Sequence, residues 1–312
     1  MRAVVFDQFG PPQVLRIAEL PLPKASPGQV VVRVAAATVN PTDLMMRSGQ
    51  QASRMTHLKP PFIAGQEFAG YIHELGAPSD RLKVGQPVMG IVHTRTPDGG
   101  AHAEYVRVPE ASVVPVPEDS DLVEMATIPM NGLTALMALQ AVDLPAGATL
   151  LVTGGAGAVG GYLIQMAHEA GLVVVADAKD EDRDLLLRFG ATHIVPRGEG
   201  MAHAVRARYP DGVDGLVDAA LIGDAAAELV RDGGHVAYVR STQVFDTERL
   251  RVKYVHVLEQ IGNTSALASL AEKARSKVLT ARVAHRISMA DAVTAHQFLE
   301  RGGLRGRVVL VP

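Results

Sequence analysis

The chain contains no cysteine and no tryptophan, and aromatic residues make up only 4% of its 312 positions. Without cysteine there is no disulfide, no thiolate nucleophile and no cysteine-ligated zinc. None of the 11 histidines pairs with another at the i, i+4 spacing of a helical metal site, so we interpret them as surface or packing residues. The composition therefore offers no candidate metal centre.

Long apolar runs and an excess of charge of either sign are also missing. No stretch of 18 apolar residues occurs, and Asp7 ends the first short one, so we expect neither a signal peptide nor a membrane span. The 30 basic and 33 acidic residues nearly balance, and no basic block is present, which argues against nucleic acid as a partner. We therefore expect a cytoplasmic protein that acts on a small molecule.

The length of 312 residues and the hydrophobic content of 47% predict two domains with ample core. Residues 1 to about 121 read as short strands between Pro and Gly turns, which predicts a β-rich, barrel-like unit. From about residue 122, helical patterns alternate with buried strands, and a last helix, strand, helix and strand follow residue 260. Two mononucleotide-binding halves need six strands, and six are predicted at 149–153, 173–177, 193–195, 214–218, 234–239 and 250–258.

A glycine-rich turn follows the first of these strands. Glycines at 155, 157 and 160 allow a tight turn, let a pyrophosphate approach bare backbone, and let the next helix pack closely on the sheet. Because a β-compatible run precedes the turn and an amphipathic helix and a second strand follow it, the context favours a dinucleotide site. The predicted cofactor-binding residues of this turn are Gly154, Gly155, Gly157, Ala158, Val159 and Gly160.

Several further stretches carry a family resemblance that covers essentially the whole chain. They are the opening 1–15, Val39-Asn40-Pro41-Thr42-Asp43, the segment 61–70, Asn131-Gly132-Leu133-Thr134-Ala135, the glycine turn, and the terminal 295–296 and 306–310. Together they resemble the medium-chain dehydrogenase/reductase superfamily, in particular its zinc-independent quinone oxidoreductase branch, which includes ζ-crystallin. The resemblance implies a GroES-like β-barrel catalytic domain made of residues 1–121 and 260–312. A doubly wound Rossmann domain, 122–259, is inserted between the two parts, so the fold class is α/β.

The resemblance also implies which residues replace the zinc ligands of metal-dependent relatives. The matching positions hold Asn40, Gln66 and Met130, which do not form the anionic or imidazole shell of a catalytic zinc. A metal-free hydride transfer is therefore favoured, and quinones or conjugated enones suit it because conjugation already activates the carbon that accepts hydride.

For that reaction the segment 40–43 supplies the candidate catalytic residues. Asn40 can donate an amide hydrogen bond and Thr42 a hydroxyl to the substrate oxygen, while Asp43 orients the loop. The alternative is that Asn-Pro-Thr-Asp is simply a turn. Relatives often carry tyrosines just after the aspartate, where this chain has methionines, so the pocket is expected to be more aliphatic or the final proton to come from water. The predicted pocket residues are Met45, Met46, Gln66, Met130 and Asn131.

The choice between NADH and NADPH depends on the end of the second strand of the nucleotide domain. Asp177 has the spacing of an acid that binds a ribose hydroxyl, whereas Lys179, Arg183 and Arg197 suit a 2′-phosphate. In the resemblance, the two arginines fall where relatives contact that phosphate, so we favour NADP(H), with Thr134 as a further cofactor residue. The alternative is a solvated helix face whose neighbouring acids neutralise the cations.

Three functions stay open on the sequence. The first is an NADPH-dependent quinone or enone reductase, the second an alkenal double-bond reductase, and the third a cofactor-binding structural protein with little turnover, as for the lens crystallins of this family. Residues 250–257 read as an exposed edge strand of the nucleotide-binding sheet, rich in Val and Tyr. Such an edge predicts a homodimer formed by pairing of two copies, or an edge that a loop covers.

Overall fold

The structure is a computed structural model that describes residues 1–240 and 248–312. Its contacts divide the chain into two compact units. The first consists of Met1–Met130, Leu258–Ser276 and Ala281–Pro312, and the second of Asn131–Val257 and Lys277–Thr280. No helix of the described residues is long and apolar enough to cross a bilayer.

The helices and strands are numbered in chain order. Up to residue 142 they are β1 (Arg2–Phe6), β2 (Arg16–Glu19), β3 (Gln29–Thr38), α1 (Pro41–Ser48), β4 (Phe62–Ile63), β5 (Glu67–Leu75), β6 (Pro87–Ile91), β7 (Tyr105–Pro109), β8 (Val113–Pro115), α2 (Leu122–Met125) and α3 (Pro129–Val142). Next come β9 (Thr149–Thr153), α4 (Ala158–Glu169), β10 (Val173–Ala178), α5 (Arg183–Arg188), β11 (His193–Pro196), α6 (Gly200–Arg208), β12 (Val213–Asp218), α7 (Asp224–Ala227), β13 (Val230–Val239) and β14 (Arg251–Val255). The last are α8 (Thr264–Arg275), β15 (Val283–Ser288), α9 (Ala292–Arg301) and β16 (Arg307–Val311).

The first unit contains two sheets. A seven-stranded sheet has the order β15-β16-β3-β5-β6-β8, with β7 also paired to β3, and a three-stranded sheet has the order β2-β1-β4. The C-terminal strand β16 runs antiparallel to β3, with Val309 opposite Thr38. Buried residues of β3, β5 and β6, including Val32, Phe68 and Val88, form one apolar core. Residues from the two ends of the chain therefore share one sheet.

The second unit is built on one parallel sheet in the order β11-β10-β9-β12-β13-β14. The first three strands in sequence lie on one side and the last three on the other, which is the order of a dinucleotide-binding fold. Strands β9 and β10 are buried along nearly their whole length, because a parallel sheet has helices on both faces. Each of the six predicted strands is present, and the predicted α/β fold class is confirmed.

Candidate active site

The glycine turn connects β9 to α4 in the second unit. Gly154 has a positive φ of 69°, which a residue with a side chain rarely adopts. A Cβ at Gly160 would overlap the Gly154 carbonyl oxygen, and one at Gly157 would lie 3.1 Å from the same oxygen. The first turn of α4 therefore packs directly on the backbone of the loop, and the close packing requires glycine at Gly160.

The amino end of α4 is suited to bind a phosphate. Gly157 is its N-cap residue and has no side chain to satisfy the first backbone N–H groups. Within any helix these first N–H groups have no intrahelical acceptor, so those of Ala158 and Val159 point out of the helix end. The helix dipole adds partial positive charge at this end. Bare backbone and free donors together fit the pyrophosphate of a dinucleotide.

Two buried carboxylates hold the turn from neighbouring strands. Asp177, at the end of β10, accepts hydrogen bonds from the backbone N–H of Gly154 and, at 3.4 Å, of Gly155. Asp218, at the end of β12, accepts one from the Thr153 hydroxyl at 2.6 Å. Sequence reasoning missed Asp218, although an acid at the end of a buried strand next to a glycine turn was the available signal.

The position of Asp177 bears on the choice of cofactor. Its side chain is 0% exposed, and its Oδ2 atom is inaccessible to water, with the Nε atom of Arg197 3.8 Å away. Burial raises the pKa of Asp177, while its two backbone donors and Arg197 act in the opposite direction. Because the carboxylate faces the turn, it is engaged in holding the loop. Lys179, Arg183 and Arg197 follow the strand ends with exposed side chains, where they can reach a ligand.

Helix α3 carries three of the predicted residues. Met130, Asn131 and Thr134 lie in its first two turns and are 5%, 7% and 6% exposed. The backbone N–H of Met130 donates to Oε2 of Glu67 at 2.7 Å. The amino end of α3 is thus fixed to β5 within the first unit, and its side chains are nearly buried.

Asn40 lies in a buried polar network of the first unit. Its amide nitrogen donates to the Thr38 hydroxyl at 3.1 Å and to Glu67 at 3.2 Å, and its amide oxygen accepts from Arg307 at 2.8 Å. Arg307 also forms a 2.8 Å ion pair with Glu67, which is completely buried. Burial raises the pKa of Glu67, and the Arg307 charge opposes that shift. The network therefore engages the Asn40 side chain inside the protein, and its predicted contact with substrate stays a prediction.

Thr42, Asp43 and Gln66 form a second, adjacent set. Residues 40–43 form neither a free loop nor a plain turn, because α1 begins at Pro41. The Asp43 side chain accepts a hydrogen bond from the backbone N–H of Asn40 at 2.7 Å. The other Asp43 oxygen accepts from the Gly65 N–H at 2.9 Å. Asp43 thereby ties α1 to the residue before Gln66.

The Thr42 hydroxyl donates to the amide oxygen of Gln66. With that oxygen engaged, the Nε2 group of Gln66 has no acceptor among the described residues and retains contact with solvent. Gln66 is only 5% exposed, so its amide is held in one orientation. The arrangement presents an ordered N–H donor next to a hydroxyl, which suits an oxygen that gains negative charge during a reaction.

The two predicted pocket methionines differ in their surroundings. Met45 is half-buried, whereas Met46 is 2% exposed and belongs to the apolar core around α1 and α9. Met46 also lines a cavity of 290 Å³, together with Leu58, Phe62 and Thr94. A small apolar cavity therefore begins one helical turn beyond Thr42 in the first unit.

Two buried histidines, His102 and His296, contact Thr38 of the polar network and Arg47 of α1. The His102 ring bonds the Thr38 carbonyl at 3.0 Å through Nε2, and the His296 Nδ1 atom lies 3.4 Å from Nη1 of Arg47. Burial, with the charges of His102 and Arg47, lowers the pKa of His296 to about 2. His296 is therefore neutral at physiological pH and accepts from Arg47.

None of the described residues forms a group of three or more histidine, aspartate and glutamate side chains able to hold a metal ion. The amide of Asn40, the amide of Gln66 and the thioether of Met130 are neutral donors. Catalytic zinc in proteins is held by histidine, cysteine and carboxylate ligands. The donor set at these three positions does not fit zinc.

Two protein domain families match the chain. The alcohol dehydrogenase GroES-like domain family matches residues 26–118, and the zinc-binding dehydrogenase family matches residues 158–276. The chain is also 30% identical over 243 residues to the NADPH-dependent alkenal/one oxidoreductase, chloroplastic, of Arabidopsis thaliana. That match covers 76% of this chain and 61% of the relative, so it spans less than two thirds of the relative's length.

Solved structures match over the whole chain. The quinone oxidoreductase from Coxiella burnetii superposes with a TM-score of 0.87 at 28% identity, covering 100% of this chain and 99% of that one. A mycobacterial protein solved as a complex with NADPH superposes with a TM-score of 0.86 at 28% identity and covers 100% of both chains. The fold thus combines a GroES-like domain with a nucleotide-binding dehydrogenase domain. The chain belongs to the medium-chain dehydrogenase/reductase superfamily, and the predicted family is confirmed.

Proposed function

We propose that the protein is an NADPH-dependent, zinc-independent reductase that transfers a hydride to a quinone or another conjugated carbonyl. The observation that carries the proposal is the Thr42–Gln66 pair, which presents an ordered amide donor where metal-dependent relatives hold zinc. In the net reaction, NADPH and a proton convert the quinone to a hydroquinone, or the C=C bond of an enone to a single bond, and NADP⁺ is released.

The protein's own groups supply binding and charge stabilisation. The Gln66 Nε2 group donates to the substrate oxygen as it gains negative charge, and the Thr42 hydroxyl orients that amide by donating to its oxygen. Asp43 fixes the relative position of α1 and Gly65 and so maintains the contact between Thr42 and Gln66. The final proton comes from water, since Asp43 and Glu67, the titratable residues next to Thr42 and Gln66 in the sequence, are buried within the protein.

Two observations support NADPH as the cofactor bound by the second unit. Gly157 carries no side chain and Gly160 packs directly on the Gly154 backbone, so the backbone of the turn is open to a pyrophosphate. Asp177 is turned into that turn, while Arg183 and Arg197 are exposed and able to form bidentate contacts with a 2′-phosphate. When bound, NADPH supplies the hydride.

A second candidate is reduction of alkenals, and the relative named as an alkenal/one oxidoreductase favours it. The methionine-lined cavity accepts flat and linear apolar substrates alike. A structural protein without turnover is the third possibility. NADPH oxidation with 1,4-naphthoquinone, 3-penten-2-one and 2-hexenal distinguishes all three.

We expect turnover with the quinone or the enone, retained in chelator and reduced by Gln66→Leu, which keeps the volume but removes the donor. Gln13→Leu is the control, because Gln13 is exposed and lies outside the Thr42–Gln66 pair. Absence of turnover with all three substrates overturns the reductase assignment. Stoichiometric zinc whose removal abolishes turnover overturns the metal-free chemistry.

We further propose that the protein forms a homodimer through β14. This strand is the edge of the six-stranded sheet and alternates exposed and half-buried residues. A Val- and Tyr-containing edge strand pairs readily with its own copy. Light scattering at micromolar concentration should give twice the mass of 33.0 kDa, whereas a monomer mass contradicts the proposal.

A further inference from the structure

Two loops of the first unit carry an excess of positive charge. The sequence from 44 to 66 contains no aspartate or glutamate, and neither does the sequence from 88 to 97. The two stretches contribute side chains that we call the basic cluster: Arg54, His57, Lys59, His93 and Arg95.

Contacts within the first unit bring the two stretches together. The His57 ring lies 3.4 Å from the carbonyl oxygen of Arg95, and Nη1 of Arg95 donates to the Gln51 side chain at 3.1 Å. Gln51 is neutral, so this bond positions the guanidinium without cancelling its charge.

No acid compensates the cluster within the part of the chain that the structure describes. The nearest acid in sequence, Asp98, is bound by Arg107 through two hydrogen bonds of 2.9 and 2.5 Å. Arg47, on the neighbouring helix, has its own partner in Glu300 at 2.5 Å. Arg54 forms no ion pair among the described residues, and Arg95 forms only its bond to Gln51.

Burial and the positive charges of the cluster lower the pKa values of two of its members. Burial and the charge of Arg54 lower the pKa of Arg95. Burial, Arg95 and His57 lower the pKa of His93. Arg95 is half-buried and Arg54 is exposed, and neither has a counter-ion among the described residues, so the two guanidinium groups create a positive potential that attracts anions.

The cluster borders both the cavity and the candidate site. His57 and Lys59 line the 290 Å³ cavity with Met46, and Thr94 lies in the same wall, between two members of the cluster. The backbone N–H of Val92 donates to the Gln66 carbonyl at 2.9 Å, so His93 follows directly on the residue bound to Gln66. The cavity, which His57 and Lys59 line on one side, is therefore linked to Gln66 through the segment 92–94.

We propose that the basic cluster binds a carboxylate carried by the substrate, so that the preferred substrates are conjugated carbonyl compounds with an anionic end. That the substrate is a conjugated carbonyl compound rests on the proposed reductase function. That it carries a carboxylate rests on the basic cluster alone. Arginine forms bidentate hydrogen bonds with a carboxylate, and the apolar cavity accommodates the carbon skeleton.

The test compares two enones that differ only in one end group. 4-Oxopent-2-enoate carries a carboxylate where 3-penten-2-one carries a methyl group. We expect kcat/KM to favour the carboxylate at low salt, and the preference to fall about ten- to a hundredfold in Arg54→Gln/Arg95→Gln, since charge-assisted bonds to the anion are lost. Arg286→Gln, an exposed arginine on β15, should leave the preference unchanged.

A binding measurement separates failure of this inference from failure of the proposed function. 4-Oxopentanoate, the saturated product, is titrated calorimetrically into the protein at 20 and 300 mM salt. Binding to the wild type that weakens with salt and in the variant supports the cluster even without turnover. Equal kcat/KM for the two enones, or equal binding of the product by wild type and variant, overturns it. Arg54→Gln alone, at an exposed position, provides the test if the double variant is unfolded.

Discussion

The polar network of the first unit and the glycine turn of the second each place hydrogen-bond donors around a negatively charged group. The network uses side chains, and the turn uses the backbone. In the network, side chains from residues 38, 40 and 307 satisfy one buried carboxylate, Glu67. In the turn, consecutive residues 154–160 place backbone groups where a phosphate is to bind. A site made of side chains depends on distant segments, whereas a site made of backbone is encoded locally.

The largest effect should come from removing one partner of the buried ion pair. Arg307→Met leaves Glu67 buried without its cation and should lower the free energy of unfolding by about 3–5 kcal/mol. Urea denaturation measures the loss. Glu67→Gln/Arg307→Met should recover part of it, because no uncompensated charge then remains. A loss in the single variant below about 1 kcal/mol would show that the pair is not essential to the network.

The cofactor contacts should give the next largest effect. Arg183→Gln with Arg197→Gln should weaken NADPH binding by roughly 1.5–3 kcal/mol per lost contact and affect NADH much less. Glutamine is used because Arg197 lies 3.8 Å from buried Asp177, and a carboxylate there would perturb the turn. Dissociation constants for both cofactors, from nicotinamide fluorescence, provide the measurement.

The control for that prediction is a change in the shared turn. Gly157→Val should weaken both cofactors alike, because each carries the pyrophosphate. If the wild type prefers NADH, or the two arginine changes leave the NADPH/NADH ratio unaltered, the basic residues are not the phosphate contacts.

A smaller effect is expected from packing at the turn. The Cβ in Gly160→Ala meets the Gly154 backbone, which costs about 1–3 kcal/mol if the helix shifts to accommodate it. Gly147→Ala is the comparison for strain without crowding, since Gly147 has a positive φ but open space around it. Thermal unfolding followed by circular dichroism measures both. Equal losses would mean that the close approach at residue 160 has no energetic consequence.

The smallest effect is a pH dependence that belongs to the first unit. The pKa of His296 is about 2 in the fold against a usual 6.5, so below pH 6.5 only the unfolded chain takes up the proton. This contribution to stability is complete above pH 6.5 and falls by about 1.4 kcal/mol per pH unit as the pH decreases below it. Urea denaturation at pH 7.5, 6 and 5 measures the slope.

His296→Gln should remove that part of the slope while keeping an acceptor for Arg47. The difference between wild type and variant isolates His296, because the lowered pKa of His93 and the raised pKa of Asp43 are common to both. His203→Gln, at an exposed position on α6, should behave as the wild type. Parallel pH profiles for wild type and His296→Gln would contradict the neutral buried histidine.

How much of this was predictable varies from residue to residue. The strands of the second unit follow from their apolar runs, and the predicted strand 149–153 coincides with β9. Segment 40–43 was predicted as a catalytic loop or a turn, and in the structure it is the start of α1. Proline occurs in turns and at the first position of helices alike, so Pro41 did not distinguish a turn from a helix start. The roles of the individual site residues stay predictions.

The sequence by itself determined the α/β fold, the glycine turn and the edge position of β14, because apolar periodicity and glycine spacing act over a few consecutive residues. Only the tertiary structure decided that Arg307 meets Glu67, that Asp177 turns into the glycine loop, and that two acid-free loops meet around Arg95. Those contacts join segments far apart in the chain. Their geometry depends on how sheets pair and which charges become buried, and no local pattern in the sequence encodes that.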